Sequence, residues 1–159
     1  MDYYNSIAQG YEELYGEEQL NKLRIIKRNI IISRNTTILD VGCGTGISSS
    51  FGCFVAGIDP SDKLLRRNNN PLRVIGIAES LPFKDGSFDY VISVTSMHNF
   101  NDMHRSISEI KRVGRKNFIF SILRKSADFE AIARIIGDNF KVNEIIEEDK
   151  DLIFFCGKP

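Results

Sequence analysis

At 159 residues, 42% of them hydrophobic, the chain has room for one domain with a sizeable core. Its 21 basic and 21 acidic side chains cancel, so no global field recruits nucleic acid or a membrane surface, and no apolar stretch reaches membrane-spanning length. Two histidines and three cysteines without C-x-x-C spacing argue against a metal centre and a disulfide frame; with no signal-peptide pattern at the start, they suit reduced thiols in the cytoplasm.

Apolar and aromatic residues at 4, 7, 8, 11, 14 and 15 recur at helical spacing, and Gly16 is expected to interrupt this first helix. A second stripe, Leu20, Leu23, Ile26 and Ile30, predicts a helix ending near 33–35. It carries Lys22, Arg24, Lys27 and Arg28, with Arg34 just beyond and no acid between them. That run reads as a solvated helix face or as a phosphate-contacting patch for RNA.

Residues 38–46 (Ile-Leu-Asp-Val-Gly-Cys-Gly-Thr-Gly) read as a buried strand running into three alternating glycines and a helix start. Glycine at that density serves positive φ or the close approach of a ligand to the main chain. A strand–glycine loop–helix unit holds its ligand at the carboxyl edge of a parallel sheet. The spacing departs from the dinucleotide pattern G-x-G-x-x-G, because Gly46 comes one residue early and Ile47 stands in its place. Asp40 at the strand end would repel a pyrophosphate and favours a ligand with positive charge and hydroxyl or amino donors. S-adenosylmethionine (SAM) answers that description and has no phosphate.

A short helix over 45–51, closed by Gly52, leads to a second strand over 53–58 that ends in Asp59-Pro60-Ser61. An acid at this place, about 20 positions after a glycine loop, can accept both hydroxyls of a ribose, or can serve only as a turn residue. Ser61 caps a brief helix over 62–67, the run Asn68-Asn69-Asn70-Pro71 breaks it, and a third strand spans 72–77. The fourth strand, 90–94, opens into a loop that carries His98. Asn101 and Asp102 then cap a helix with the stripe Met103, Ile107, Ile110 and Val113. A fifth strand over 117–123, a helix over 128–136, and strands over 141–147 and 151–156 complete the order.

Residues 38–46 resemble motif I of the class I SAM-dependent methyltransferases. The segment Ala78-Glu79-Ser80-Leu81-Pro82-Phe83, with Ser87-Phe88-Asp89 after it, resembles the stretch lying against the adenine in the type-11, ubiquinone/menaquinone methyltransferase-like group. Gly57-Ile58-Asp59-Pro60-Ser61 looks like that group's ribose motif, and the spacing of Tyr4, Ile7, Ala8 and Tyr11 is similar to its lid segment. The resemblance implies an α/β, Rossmann-like fold: a mostly parallel seven-stranded sheet, a C-terminal antiparallel hairpin and helices on both faces. It implies a single domain over 1–159, with 1–35 a helical lid segment and 36–159 the core. SAM would lie over Gly42, Cys43, Gly44 and Gly46, with Asp40 at its amino acid end directly or through water. Asp59 and Pro60 would meet the ribose, Ala78 and Glu79 the adenine, Ser93 the reaction side, and Tyr11 would belong to the lid.

Three departures accompany the likeness. Ile77 stands where such proteins carry an acid for the adenine amino group, the interval from Asp40 to Asp59 is about one helical turn short, and Val113-Gly114-Arg115-Lys116 is a contracted turn before the fifth strand. The N-P-P-Y type of sequence after the fourth strand is absent, and His98 is the candidate general base, with a packing or capping role equally open. Trimmed helices favour a large acceptor, RNA or protein, at an open site, or a partner completing it, whether an activator subunit or a second copy. Small-molecule transfer and SAM binding without catalysis are the alternatives.

Overall fold

The computed structural model describes residues 2–8 and 10–159, apart from the side chains of Asp2, Tyr4, Asn5, Tyr11, Glu12, Leu14 and Ser48. In chain order come α1 (Asp2–Ile7), α2 (Tyr11–Arg28), β1 (Thr37–Val41), β2 (Phe54–Asp59), α3 (Asp62–Leu65) and β3 (Leu72–Ile75). Then follow β4 (Phe88–Val94), α4 (Met103–Val113), β5 (Gly114–Leu123), α5 (Phe129–Asn139), β6 (Lys141–Glu148) and β7 (Asp151–Gly157). Among these residues no helix is long and apolar enough to cross a membrane.

The strands make one sheet in the order β3-β2-β1-β4-β5-β7-β6. Pairing is parallel from β3 to β5, and β7 runs antiparallel between β5 and β6. The expected seven-stranded sheet with a C-terminal hairpin is thus the observed one. Strand order reverses between β1 and β4, which opens a crevice at their carboxyl ends.

Alternation along β1 divides the core into two layers. Leu39 and Val41 pack with Val91, Phe118 and Phe120 against Ile107 and Ile110 of α4 and Ile136 of α5. Ile38 packs on the other face with Ile92 and Ile119 against Leu23 and Ile26 of α2. α4 starts where expected, because the Asp102 carboxylate accepts the Arg105 backbone N–H at 3.0 Å. Its stripe Ile107, Ile110 and Val113 is buried.

Four expectations change in detail. α1 already ends at Ile7, with Gly10 N–H donating to the Ile7 carbonyl at 2.9 Å, and α2 runs through Gly16. A mid-helix glycine costs about 1 kcal/mol, less than burying Leu23 and Ile26 returns. α2 ends at Arg28, where the Asn29 side chain caps the Ile25 carbonyl at 2.8 Å. The helix expected over 45–51 shrinks to one 3₁₀ turn, Ile47–Ser49, in which Ser49 turns its hydroxyl onto Asp40. No turn precedes β5: α4 passes straight into it at Gly114, where a Cβ would collide with the Phe118 ring.

Candidate functional site

The crevice between β1 and β4 is a cleft of about 220 Å³, lined from four loops at the carboxyl edge of the sheet. Gly42 and Gly44 form its floor, Asp59, Pro60 and Ser61 one side, and Ile77, Ala78 and Glu79 the far end. Thr95, Ser96 and residues 99–101 form the opposite wall. The lining holds two carboxylates and neither lysine nor arginine. That charge pattern suits cationic and hydroxyl-bearing ligands and disfavours a pyrophosphate.

Each wall is built by a specific contact. Gly42 takes φ of 78°, and a Cβ there would collide with the Ser96 hydroxyl. Ser96 Oγ donates to the Val41 carbonyl at 2.9 Å and so closes the β4 loop onto the glycine loop. Asp59 Oδ2 accepts the Gly44 N–H at 2.9 Å and Oδ1 accepts the Ser61 N–H at 2.8 Å. One carboxylate therefore shapes both loops, and each oxygen keeps a lone pair for a further donor. Burial pushes its pKa up while the two N–H donors oppose the rise.

Glu79 Oε1 accepts the backbone N–H groups of Asn101, at 2.6 Å, and Asp102, at 3.0 Å, which ties the far end of the cleft to the start of α4. The Leu81-Pro82-Phe83 segment is held to α4 as well: Arg112 donates to the carbonyls of Phe83, at 2.7 Å, and Leu81, at 2.9 Å. Asp89, the acid of Ser-Phe-Asp, accepts the Thr37 N–H at 2.9 Å and an Arg115 N–H at 2.7 Å, so its work is to join the starts of β1, β4 and β5.

Six of the expected cofactor residues line the cleft: Gly42, Gly44, Asp59, Pro60, Ala78 and Glu79. Asp40 does not. It alternates with Val41, which does line the cleft, and so faces the opposite layer, fully buried, where Oδ2 accepts the Ser49 hydroxyl and Oδ1 has no partner. Burial pushes its pKa up to about 7, against the Ser49 hydrogen bond and with help from the Asp59 charge. Cys43 is buried against Gly57 and Asn68, and its thiol pKa is pushed up, foremost by that burial. Gly46 lies against Asn68, and Ser93 sits beneath Ser96, their hydroxyls 2.6 Å apart. The expected lid contacts of Tyr4 and Tyr11 fall outside the described side chains.

His98 is half-buried in the turn Met97–Asn99 but is absent from the lining, which takes Asn99 instead. Burial lowers its pKa, and the charges of Asp151 and Asp128 oppose the fall. Lys22 is also displaced from its expected setting: only 1% exposed, it pairs with Asp151 and is no part of the basic run. Arg24, Lys27, Arg28 and Arg34 remain exposed. Ser61 and Ser96 were legible as a cap and as a loop residue. Nothing in the spacing tied Thr95 to Lys22, 73 positions away.

The sequence profile of a family described as "Methyltransferase domain" matches residues 39–122. A Methanocaldococcus jannaschii protein is 33% identical over 148 residues, covering 88% of this chain and 58% of that protein. A Synechocystis methyltransferase is 34% identical over 118 residues, 68% of this chain and 55% of that protein. The chain spans about half the length of the curated relatives it matches. In fold it is similar to a Haloferax volcanii methyltransferase solved in complex with the Trm112 methyltransferase activator, with a TM-score of 0.80 at 16% identity, over 98% of this chain and 97% of that one.

Proposed function

The chain belongs to the SAM-dependent methyltransferases of the type-11 group, and on that footing we propose that it methylates a macromolecular acceptor at an open cleft. The observation that carries this reading is the cleft itself. The helix beside the glycine loop is a single 3₁₀ turn, and residues 76–87 between β3 and β4 form no helix, so among the described residues neither of these connections builds a helix over the lining. A large acceptor can present a protruding group to such a site.

The residues fit the cofactor. Gly42 and Gly44 offer main chain without side-chain obstruction, Asp59 has lone pairs for ribose hydroxyls, and Ala78 and Glu79 stand at the adenine end beside half-exposed Ile77. Asp40 acts at one remove, through Ser49 and the turn that follows the glycine loop. When bound, SAM supplies a methyl group already activated by its sulfonium. What the chain itself contributes is alignment of the acceptor and exclusion of water, which can supply roughly 7–11 kcal/mol. We assign no general base, since His98 stays off the lining.

The experiment is calorimetric titration with SAM, S-adenosylhomocysteine and NAD, followed by labelled methyl transfer into fractionated RNA and protein. Micromolar binding of the first two and none of NAD is expected, with Asp59→Ala weakening it about a hundredfold. Label entering RNA, and lost when Arg24, Lys27, Arg28 and Arg34 are changed to Glu, identifies an RNA acceptor. Label entering protein through that change identifies a protein acceptor. Label only in small metabolites overturns the macromolecular reading.

A partner subunit is the second reading. The edge strand β3 leaves Leu72 40% and Ile75 62% exposed, and an open apolar edge invites pairing with another chain. The Haloferax neighbour is bound to an activator. Turnover that appears only after adding a copurifying protein would favour this arrangement.

A further inference from the structure

Thr95, the first residue after β4, stands in the cleft wall with φ of 51°, and among the described residues it is the only non-glycine with positive φ. A β-branched side chain is strained in that region and persists there only when its surroundings over-determine it. They do. The Thr95 N–H donates to the Ser121 hydroxyl at 2.9 Å and to the Ser121 carbonyl at 3.2 Å. Its hydroxyl donates to Asp151 Oδ2 at 2.7 Å and accepts both from Lys22 Nζ at 2.8 Å and from the Ser121 hydroxyl at 3.0 Å. Lys22 closes the figure on Asp151 Oδ2 at 3.1 Å, with both side chains inaccessible to solvent. Glu148 of β6 is the second acid near Lys22; burial pushes its pKa up, while the Lys22 charge opposes the rise.

A buried ion pair adds little net stability over an apolar replacement of the same shape, so its presence asks for another reason. Its reach suggests one: it draws α2, β5 and β7 onto a single loop residue. With these partners the Thr95 hydroxyl has no capacity left for a ligand, which leaves the loop's backbone as what is being set. We propose that Lys22, Asp151 and Ser121 are positioning residues that hold Thr95 left-handed and thereby fix the loop after β4, whose residues 94–96 and 99–101 form the cleft wall. The functional weight of that wall rests on the cofactor reading above; the holding of Thr95 does not.

The test is amide hydrogen exchange over 93–101, with calorimetric titration of S-adenosylhomocysteine, on the wild type and three variants. In Lys22→Met with Asp151→Leu, exchange in the loop should rise about tenfold and affinity fall about tenfold, while protection of the β1 and β2 amides is unchanged. Adding Thr95→Gly, which takes positive φ without strain, should restore affinity to within about threefold. A purely structural role for the pair would not be rescued at that position. Thr95→Val keeps the pair and removes the hydroxyl, so it should loosen the loop as well, and it decides the matter if the first variant fails to fold. Unchanged loop exchange in Thr95→Val, or an affinity loss in the pair variant that glycine does not repair, overturns the inference. The exchange arm needs no ligand, so it still decides if S-adenosylhomocysteine does not bind and the cofactor reading falls.

Discussion

The two halves of the sheet are built on different terms. From β4 onward, α4 and α5 run 11 residues each and bury full stripes against long strands. From β1 to β3 the connecting helices shrink to a 3₁₀ turn of three residues and a helix of four, and the chain turns on positive-φ glycines, with α2 covering one face. The connections of the second half therefore derive their shape from apolar packing, those of the first from backbone hydrogen bonds to Asp59 and from Ser49 on Asp40. The half with fewer side chains in the way presents main chain to a ligand; the half with more holds the sheet together.

The sharpest way to break this contrast is a matched pair of truncations. Phe118→Ala empties a site where the Phe118 and Phe140 rings lie 4.8 Å apart between sheet and helix, and should lower unfolding free energy by about 3–5 kcal/mol. Leu64→Ala should cost less, about 2–3 kcal/mol, because Leu64 lines the cleft and the space left joins it. Equal losses in denaturant titration would mean that both halves are packed alike.

Asp40 offers a contrast in pH. Its folded pKa, about 7, lies above the ordinary 3.8, so the folded state holds the proton more tightly than the unfolded chain does. The associated stability is complete below about pH 4 and is lost as pH rises toward about 7, on the order of 4 kcal/mol in all. Asp40→Asn should flatten that part of the profile. A slope that survives the substitution would place the titration elsewhere. The smallest effect belongs to α4, where Asp102→Ala removes the cap and should cost about 1 kcal/mol, read from the urea midpoint.

Element order and sheet architecture were legible in the sequence because buried strands and the stripe of α4 carry strong periodicity. The glycine loop and Asp59 were legible because few other structures need three glycines and an acid at that spacing. What escaped the reading turns on direction and distance. Asp40 and Val41 are neighbours in sequence and face opposite layers, and it is Val41 that lines the cleft. Lys22 reads like its basic neighbours until a partner from β7 is folded against it. Gly114 looks like turn punctuation, yet its use is spatial: the Phe118 ring occupies the place of its missing Cβ. Long-range pairing leaves no mark in local composition.

Asp59 holds the glycine loop and the Ser61 turn by hydrogen bonds that belong to the fold itself. The loop's conformational entropy is then lost during folding and not again at association, which is preorganisation. Binding should accordingly be fast and leave backbone exchange in the loop nearly unchanged. Asp59→Ala would convert the same event into coupled ordering, with a slower on-rate and a more unfavourable entropy.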